Sequence, residues 1–141
     1  MALIDIAGRE IPADDRVPLA LEELPEGQGL AVLLPAGTLA EEVAPLLPRL
    51  ALVVVEFPKF RDGRGFTLGR ALRERHGFTG DIRAAGHVIP DQLALLRQCG
   101  FSSIATPAEH PPAQWQGLKD PTQRQLLQRL LGGEGVARAQ A

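Results

Sequence analysis

Two unbroken apolar runs, residues 30–34 (LAVLL) and 52–55 (LVVV), constrain this chain more than any other feature. Neither run alternates with polar residues, so neither suits a strand with one wet face. Runs of this length fit strands of a parallel sheet that is covered on both sides. Two weaker runs, 82–85 and 103–105, each follow a stretch of helical periodicity closed by a glycine. Strand then helix, four times over, predicts an α/β fold: a four-stranded, mainly parallel sheet with alternating helices and right-handed crossovers. Four strands cannot close a barrel, so the sheet is expected to be an open flavodoxin-like one or a half-barrel arc. In either arrangement ligands bind beyond the carboxyl ends of the strands.

The helices have readable ends. Thr38 and Glu41 have the spacing of a capping box, and Pro45 and Pro48 limit the first helix to a short or kinked one. Residues 67–76 form the second, closed by Gly77. Pro90 suits the first turn of the third, which turns Leu93, Leu96 and Cys99 inward and stops at Gly100, with Phe101 packing back. Asp120, Pro121 and Gln123 open a fourth, striped by Leu126, Leu127, Leu130 and Leu131. Ahead of this series, residues 3–6 and 10–11 flank Gly8 and predict a short N-terminal hairpin. The expected organisation is one α/β domain over 1–141. Residues 1–28 form a peripheral hairpin and connection, 29–131 the core and 132–141 a frayed tail.

Charge narrows the partners. Lys and Arg number 15 against 17 Asp and Glu, a net −2, which lacks the basic excess that sequence-independent nucleic-acid binding needs. No apolar run approaches the ~20 residues of a membrane span. The N-terminal MALIDIAGRE has no basic region followed by an apolar stretch, and one cysteine cannot pair within the chain, so the cytoplasm is the expected location. The charge is also uneven. Residues 1–50 carry three Arg against nine acids, whereas 51–83 carry seven Lys or Arg against four. That basic stretch holds Phe57, Phe60, Phe66 and Phe78 and the richest loop of the chain.

The loop, residues 56–67, runs from the second strand straight into a helix. Gly63 and Gly65 would let backbone amides approach an anion, the helix start adds unpaired N–H groups, and Lys59, Arg61 and Arg64 bring full charges. Together they predict an oxyanion cradle. The competing reading is a glycine-dependent wide turn with solvated cations and Asp62 as a local partner. The next loop brings His87, Asp91 and Gln92 towards Glu56 and Arg61 as supporting polar groups, although Asp91 also suits a helix start and an exposed loop histidine has no necessary role. Arg83, inside a strand, requires a carboxylate such as Glu56 or Asp62, unless it lies on a solvated edge.

Other chemistries find less support. Gly63, Gly65 and Gly69 give G-x-G-x-x-x-G, not the dinucleotide spacing, and no acid follows where the ribose would need one. Glu56, Asp62, His87 and Asp91 lack metal-ligand spacing, so no metal is expected. Cys99 reads as a small core residue, Trp115 as an anchor of the loop after the fourth strand, and no cofactor is expected.

The segment from Glu56 to Phe101 resembles the bacterial family called domain of unknown function 934. FPKFRDGRGF, LRERHGF, DIRAAG and DQLALLRQCGF occur in the family's order and spacing. The residues carried over by motif are Phe57, Phe60, Asp62, Gly63, Arg64, Gly65, Arg73, Arg83, Gly86, Asp91, Gln92, Gly100 and Phe101. The family commonly has Asp where this chain has His87, which weakens His87 as a general base. The resemblance implies a small cytoplasmic protein encoded beside assimilatory sulfite reductase, of a kind often labelled probable oxidoreductase. Three functions are in competition. The first is an accessory protein of sulfite reduction that docks on the reductase or its electron donor. The second is a small enzyme or sensor for a sulfur or phosphorus oxyanion. The third is a flavin- or nicotinamide-dependent oxidoreductase. Self-association stays open in all three.

Overall fold

The structure, a computed structural model, describes residues 2–58 and 63–116. Six strands form one sheet: β1 (Ala2–Asp5), β2 (Glu10–Ile11), β3 (Leu30–Pro35), β4 (Leu50–Phe57), β5 (Asp81–Gly86) and β6 (Ser103–Thr106). Three α-helices lie between them: α1 (Ala40–Val43), α2 (Arg64–Glu74) and α3 (Leu93–Gln98). The strand order is β2-β1-β6-β5-β4-β3. The four strands β3 to β6 are parallel and stand in sequence order, while β1 runs antiparallel to both β6 and β2.

This order corrects two expectations. The sheet has six strands, because the N-terminal hairpin is not an appendage. β1 pairs with β6 over four residues, and Ile4 is fully buried in the main core. Nor is the sheet flavodoxin-like. A doubly wound sheet reverses its direction once, and that reversal places helices on both faces. Here every crossover steps the same way, so α1, α2 and α3 share one face.

Burial follows from that winding. Val32, Leu34, Val53, Val55, Phe57, Ile82, Ala84 and Ile104 alternate onto the helix-covered face and join Val43, Leu68, Leu72, Leu93 and Leu96 in one core. The intervening positions Ala31, Leu52 and Val54 form a separate cluster on the opposite face, with Leu33 and Ala85 against it.

A strap follows β2 to the far edge of the sheet. Leu19 lies beside β3, where its N–H donates to the Ala31 carbonyl (3.1 Å) and its carbonyl accepts from the Leu33 N–H (2.8 Å). On the way Asp14 pairs with Arg16 and with Arg83 of β5 (3.2 Å). Arg83 also reaches Asp81 (3.2 Å) and Ser103 Oγ (2.9 Å). The arginine thus has the carboxylate partners that its burial demands, but they are Asp14 and Asp81. Glu56 is exposed, and Asp62 lies outside the described residues. The side-chain and backbone hydrogen bonds from Arg16 hold the Asp14 carboxyl well below the usual carboxylate range.

Helix ends also differ from expectation. No capping box forms at Thr38. The cap of α1 is Leu39, and the Thr38 N–H instead closes a turn onto the Pro35 carbonyl (3.0 Å). After four residues the chain tightens into a 3₁₀ segment, Ala44–Arg49, as its two prolines require. α2 starts at Arg64, three residues earlier than the pattern suggested. Gly77 (φ +65°) and Gly100 (φ +89°) end α2 and α3 in the left-handed conformation, and the Phe101 N–H returns to the Leu96 carbonyl (3.0 Å). The strands themselves outrun the apolar signal, β4 by two residues at each end. The fourth helix and the tail expected after Asp120 lie outside the described residues.

Candidate functional site

The early start of α2 reshapes the glycine-rich loop. Gly63 is the cap, with φ −75° and open space where a Cβ would stand. Among the described residues no side chain caps this end, and no acid lies in the first turn. The Thr67 N–H and hydroxyl both turn back to the Gly63 carbonyl, at 3.3 Å each. Gly65 is therefore helical, not part of a wide turn, and its φ is not positive. It lies against the Phe57 ring so closely that a Cβ would enter the ring. Phe57 is fully buried, with the Phe66 ring centroid 5.1 Å away and that of Phe101 5.9 Å away. The need for glycine at 65 is set by this aromatic contact.

An open groove of about 780 Å³ runs along the outside of α2. It is lined by the turn from Ala36 to Glu41 that follows β3, by α2 and its end from Gly63 to Arg75, and by α3, with the buried Phe66, Leu68, Ala71, Leu95 and Cys99 making its apolar floor. Burial pushes the Cys99 thiol above its usual range, so it lines the groove as an apolar, unreactive group. Arg64, Arg70 and Arg75 and one carboxylate, Glu41, line the rim. Arg64 passes over the small residue at the lip, since a Cβ on Gly37 would come within 2.8 Å of its guanidinium. Arg75 pairs with Glu41 (3.0 Å) and Arg70 with Glu74 (3.5 Å), all four side chains being well exposed. Glu41 is held below its ordinary value, first by its own backbone N–H and then by the charge of Arg75 beside it. Beside these charges Leu39 stands 60% exposed, a large apolar side chain on the groove's lip.

The expected site residues divide into three groups, with Arg83 apart from all of them. Gly63, Arg64 and Gly65 form the start of α2 at one end of the groove. Lys59, Arg61 and Asp62 lie outside the described residues, as does Phe60. Glu56, His87, Asp91 and Gln92 gather at the carboxyl ends of β4 and β5 without forming a common centre. No hydrogen bond or ion pair joins Glu56, His87 and Asp91 to one another, and all three are exposed. The His87 N–H donates to the Phe57 carbonyl (2.8 Å), which fixes the backbone where Gly86 takes φ +88°. Gln92 is buried, and its Oε1 accepts from the Ile89 N–H (3.0 Å) at the start of the 3₁₀ turn that leads into α3. Arg83 belongs to the strap network on the opposite face of the sheet.

Sequence reasoning passed over Arg70, Arg75, Leu39 and Glu41. Of these, Arg75 alone had a visible signal, as the end of a stripe with Arg64, Leu68 and Ala71 at i, i+4, i+7 and i+11. Among the described residues, no three His, Cys, Asp or Glu side chains are grouped to hold a metal ion, and no helix is long and apolar enough to cross a membrane. Comparison with the curated proteins and with the solved structures gives no match. The family model described as bacterial protein of unknown function (DUF934) matches residues 31–125. That span covers β3 from its second residue through β6, the helices α1 to α3 and every residue of the groove, and the chain belongs to this family.

Proposed function

We propose that this chain is a cytoplasmic accessory protein of assimilatory sulfite reduction, acting by docking on the reductase or its electron donor rather than by catalysis. The setting is what the resemblance to the family implies. The observation that carries the docking part is the groove on α2: an apolar floor, an exposed leucine on the lip and a rim of three arginines against one glutamate. Apolar patches edged by charge are typical of protein contact surfaces. A tagged copy expressed in sulfate-grown cells is expected to retain sulfite reductase or its donor. Cells without the gene are expected to grow slowly on sulfate and to recover with sulfide. Normal growth on sulfate together with no reductase retained would refute the proposal.

One observation favours a second reading, a site for a sulfur or phosphorus oxyanion. Among the described residues the start of α2 has no side-chain cap and no acid in its first turn, and Arg64 stands there. The partial positive charge of a helix start attracts anions. Saturable stabilisation by sulfite or sulfate at millimolar concentration would support this reading, and an unchanged melting point would remove it. The third alternative, a flavin enzyme, predicts a yellow protein with visible absorption after purification.

A further inference from the structure

We propose that the groove along α2 takes an acidic, apolar peptide segment of a partner protein, about three helical turns long. The proposal rests on the docking reading above and names the chemistry of what docks. Its basis is the spacing of the rim charges. Arg64 and Arg75 stand eleven positions apart on one helix, roughly 16 Å at 1.5 Å per residue. Arg70 lies between them. Measured along the backbone the three arginines span about three helical turns, a longer stretch than a single oxyanion a few ångströms across. A peptide that carries a carboxylate near each end and apolar side chains between them matches both the row of charges and the floor beneath.

Charge complementarity gives the sign. The whole chain is net −2, yet the groove is lined by three arginines and a single carboxylate, Glu41. Arg70 and Arg75 hold their present partners in exposed surface pairs, which contribute little and are readily exchanged for an incoming carboxylate. Leu39 supplies the apolar anchor, being exposed in the free protein and placed to be covered in the complex.

The test is selection of a displayed library of random 12-residue peptides on the immobilised full chain. Enriched peptides are expected to carry two or more Asp or Glu bracketing apolar residues. A fluorescein-labelled synthetic copy should bind the wild-type chain, and its Kd should rise at least tenfold with Arg70→Glu plus Arg75→Glu and again with Leu39→Asp. Raising the salt from 50 to 500 mM should weaken it further. Enriched peptides without acidic bias, equal binding to the variants, or no enrichment would each overturn the proposal. Loss of the Arg75–Glu41 pair disturbs the α1 contact, so melting curves accompany the double variant, and Leu39→Asp carries the test alone if that variant misfolds. Acidic peptides bound with no reductase retained from cells would keep the occupant and remove the pathway; the reverse would keep the pathway and remove the occupant.

Discussion

Replacing Gly65 with alanine separates the two reasons for a glycine in this loop. Two terms oppose each other. Alanine gains up to ~1 kcal/mol over glycine from helix propensity, less in a first turn. Against it, the new methyl enters the space of the Phe57 ring, which is fully buried and held between Phe66 and Phe101. Overpacking of this kind costs about 1–3 kcal/mol. Steric cost wins, and a net loss of about 1–2 kcal/mol is expected, or roughly 3–8 °C in Tm for a chain of this size. Gly63→Ala is the control. Its Cβ meets nothing within 4 Å and its φ is −75°, so stability should hold within ~0.5 kcal/mol. Thermal melts and urea titrations of both variants provide the comparison. A Gly65→Ala protein as stable as wild type, or more so, would refute the packing account and return the glycine to a role at the backbone.

Asp14→Asn should cost about 1–2 kcal/mol at pH 7, measured by urea unfolding, because it removes a carboxylate from Arg83 and Arg16 while Asp81 remains. Since the folded carboxyl lies well below its ordinary value, its contribution is complete above about pH 4 and is lost only as the pH falls through that depressed value, so the gap between wild type and variant should narrow below pH 4 and still be measurable at pH 3. Arg73 donates to the carbonyls of Gly100 (2.7 Å), Phe78 (2.8 Å) and Gly80 (2.6 Å) and lies over the Phe78 ring; Arg73→Ala should cost about 2–4 kcal/mol by the same titration, with Arg73→Lys recovering only part because it lacks the fork. If an oxyanion binds at the start of α2, Arg64→Ala should abolish the sulfate-induced rise in Tm, and a rise of wild-type size in that variant would place the anion elsewhere.

The parallel strands were legible because they are buried on both faces and therefore apolar at every position, as 30–34 and 52–55 are. The order of the strands was not, because the crossover lengths are the same whether the sheet winds once or twice. Nothing local marks β1 as a partner of β6, since the Ala2–Thr106 register joins residues 104 positions apart. Local chemistry also misled at α2: Gly63 and Gly65 look alike in sequence, and only the position of the Phe57 ring distinguishes a cap from a packing contact. Arg83 was read as needing an acid, and it has two. The strap that brings Asp14 to it crosses from one sheet edge to the other, a path that composition does not encode.

The long-range pairing of β1 has a consequence for how the protein is made. Its register partner is Thr106, and the Thr106 hydroxyl returns to the carbonyl of Ala2 across 104 residues (3.1 Å). At ~5–20 residues per second, the first strand leaves the ribosome about 5–20 s before its neighbour is synthesised. Until then Leu3 and Ile4 have only β2 beside them, and a lone two-stranded hairpin is marginal in water. The parallel strands β3 to β5 can assemble in the order in which they emerge, each against the one before. The hairpin must wait for β6, so during synthesis β1 is an apolar strand with one edge left open until Thr106 has emerged.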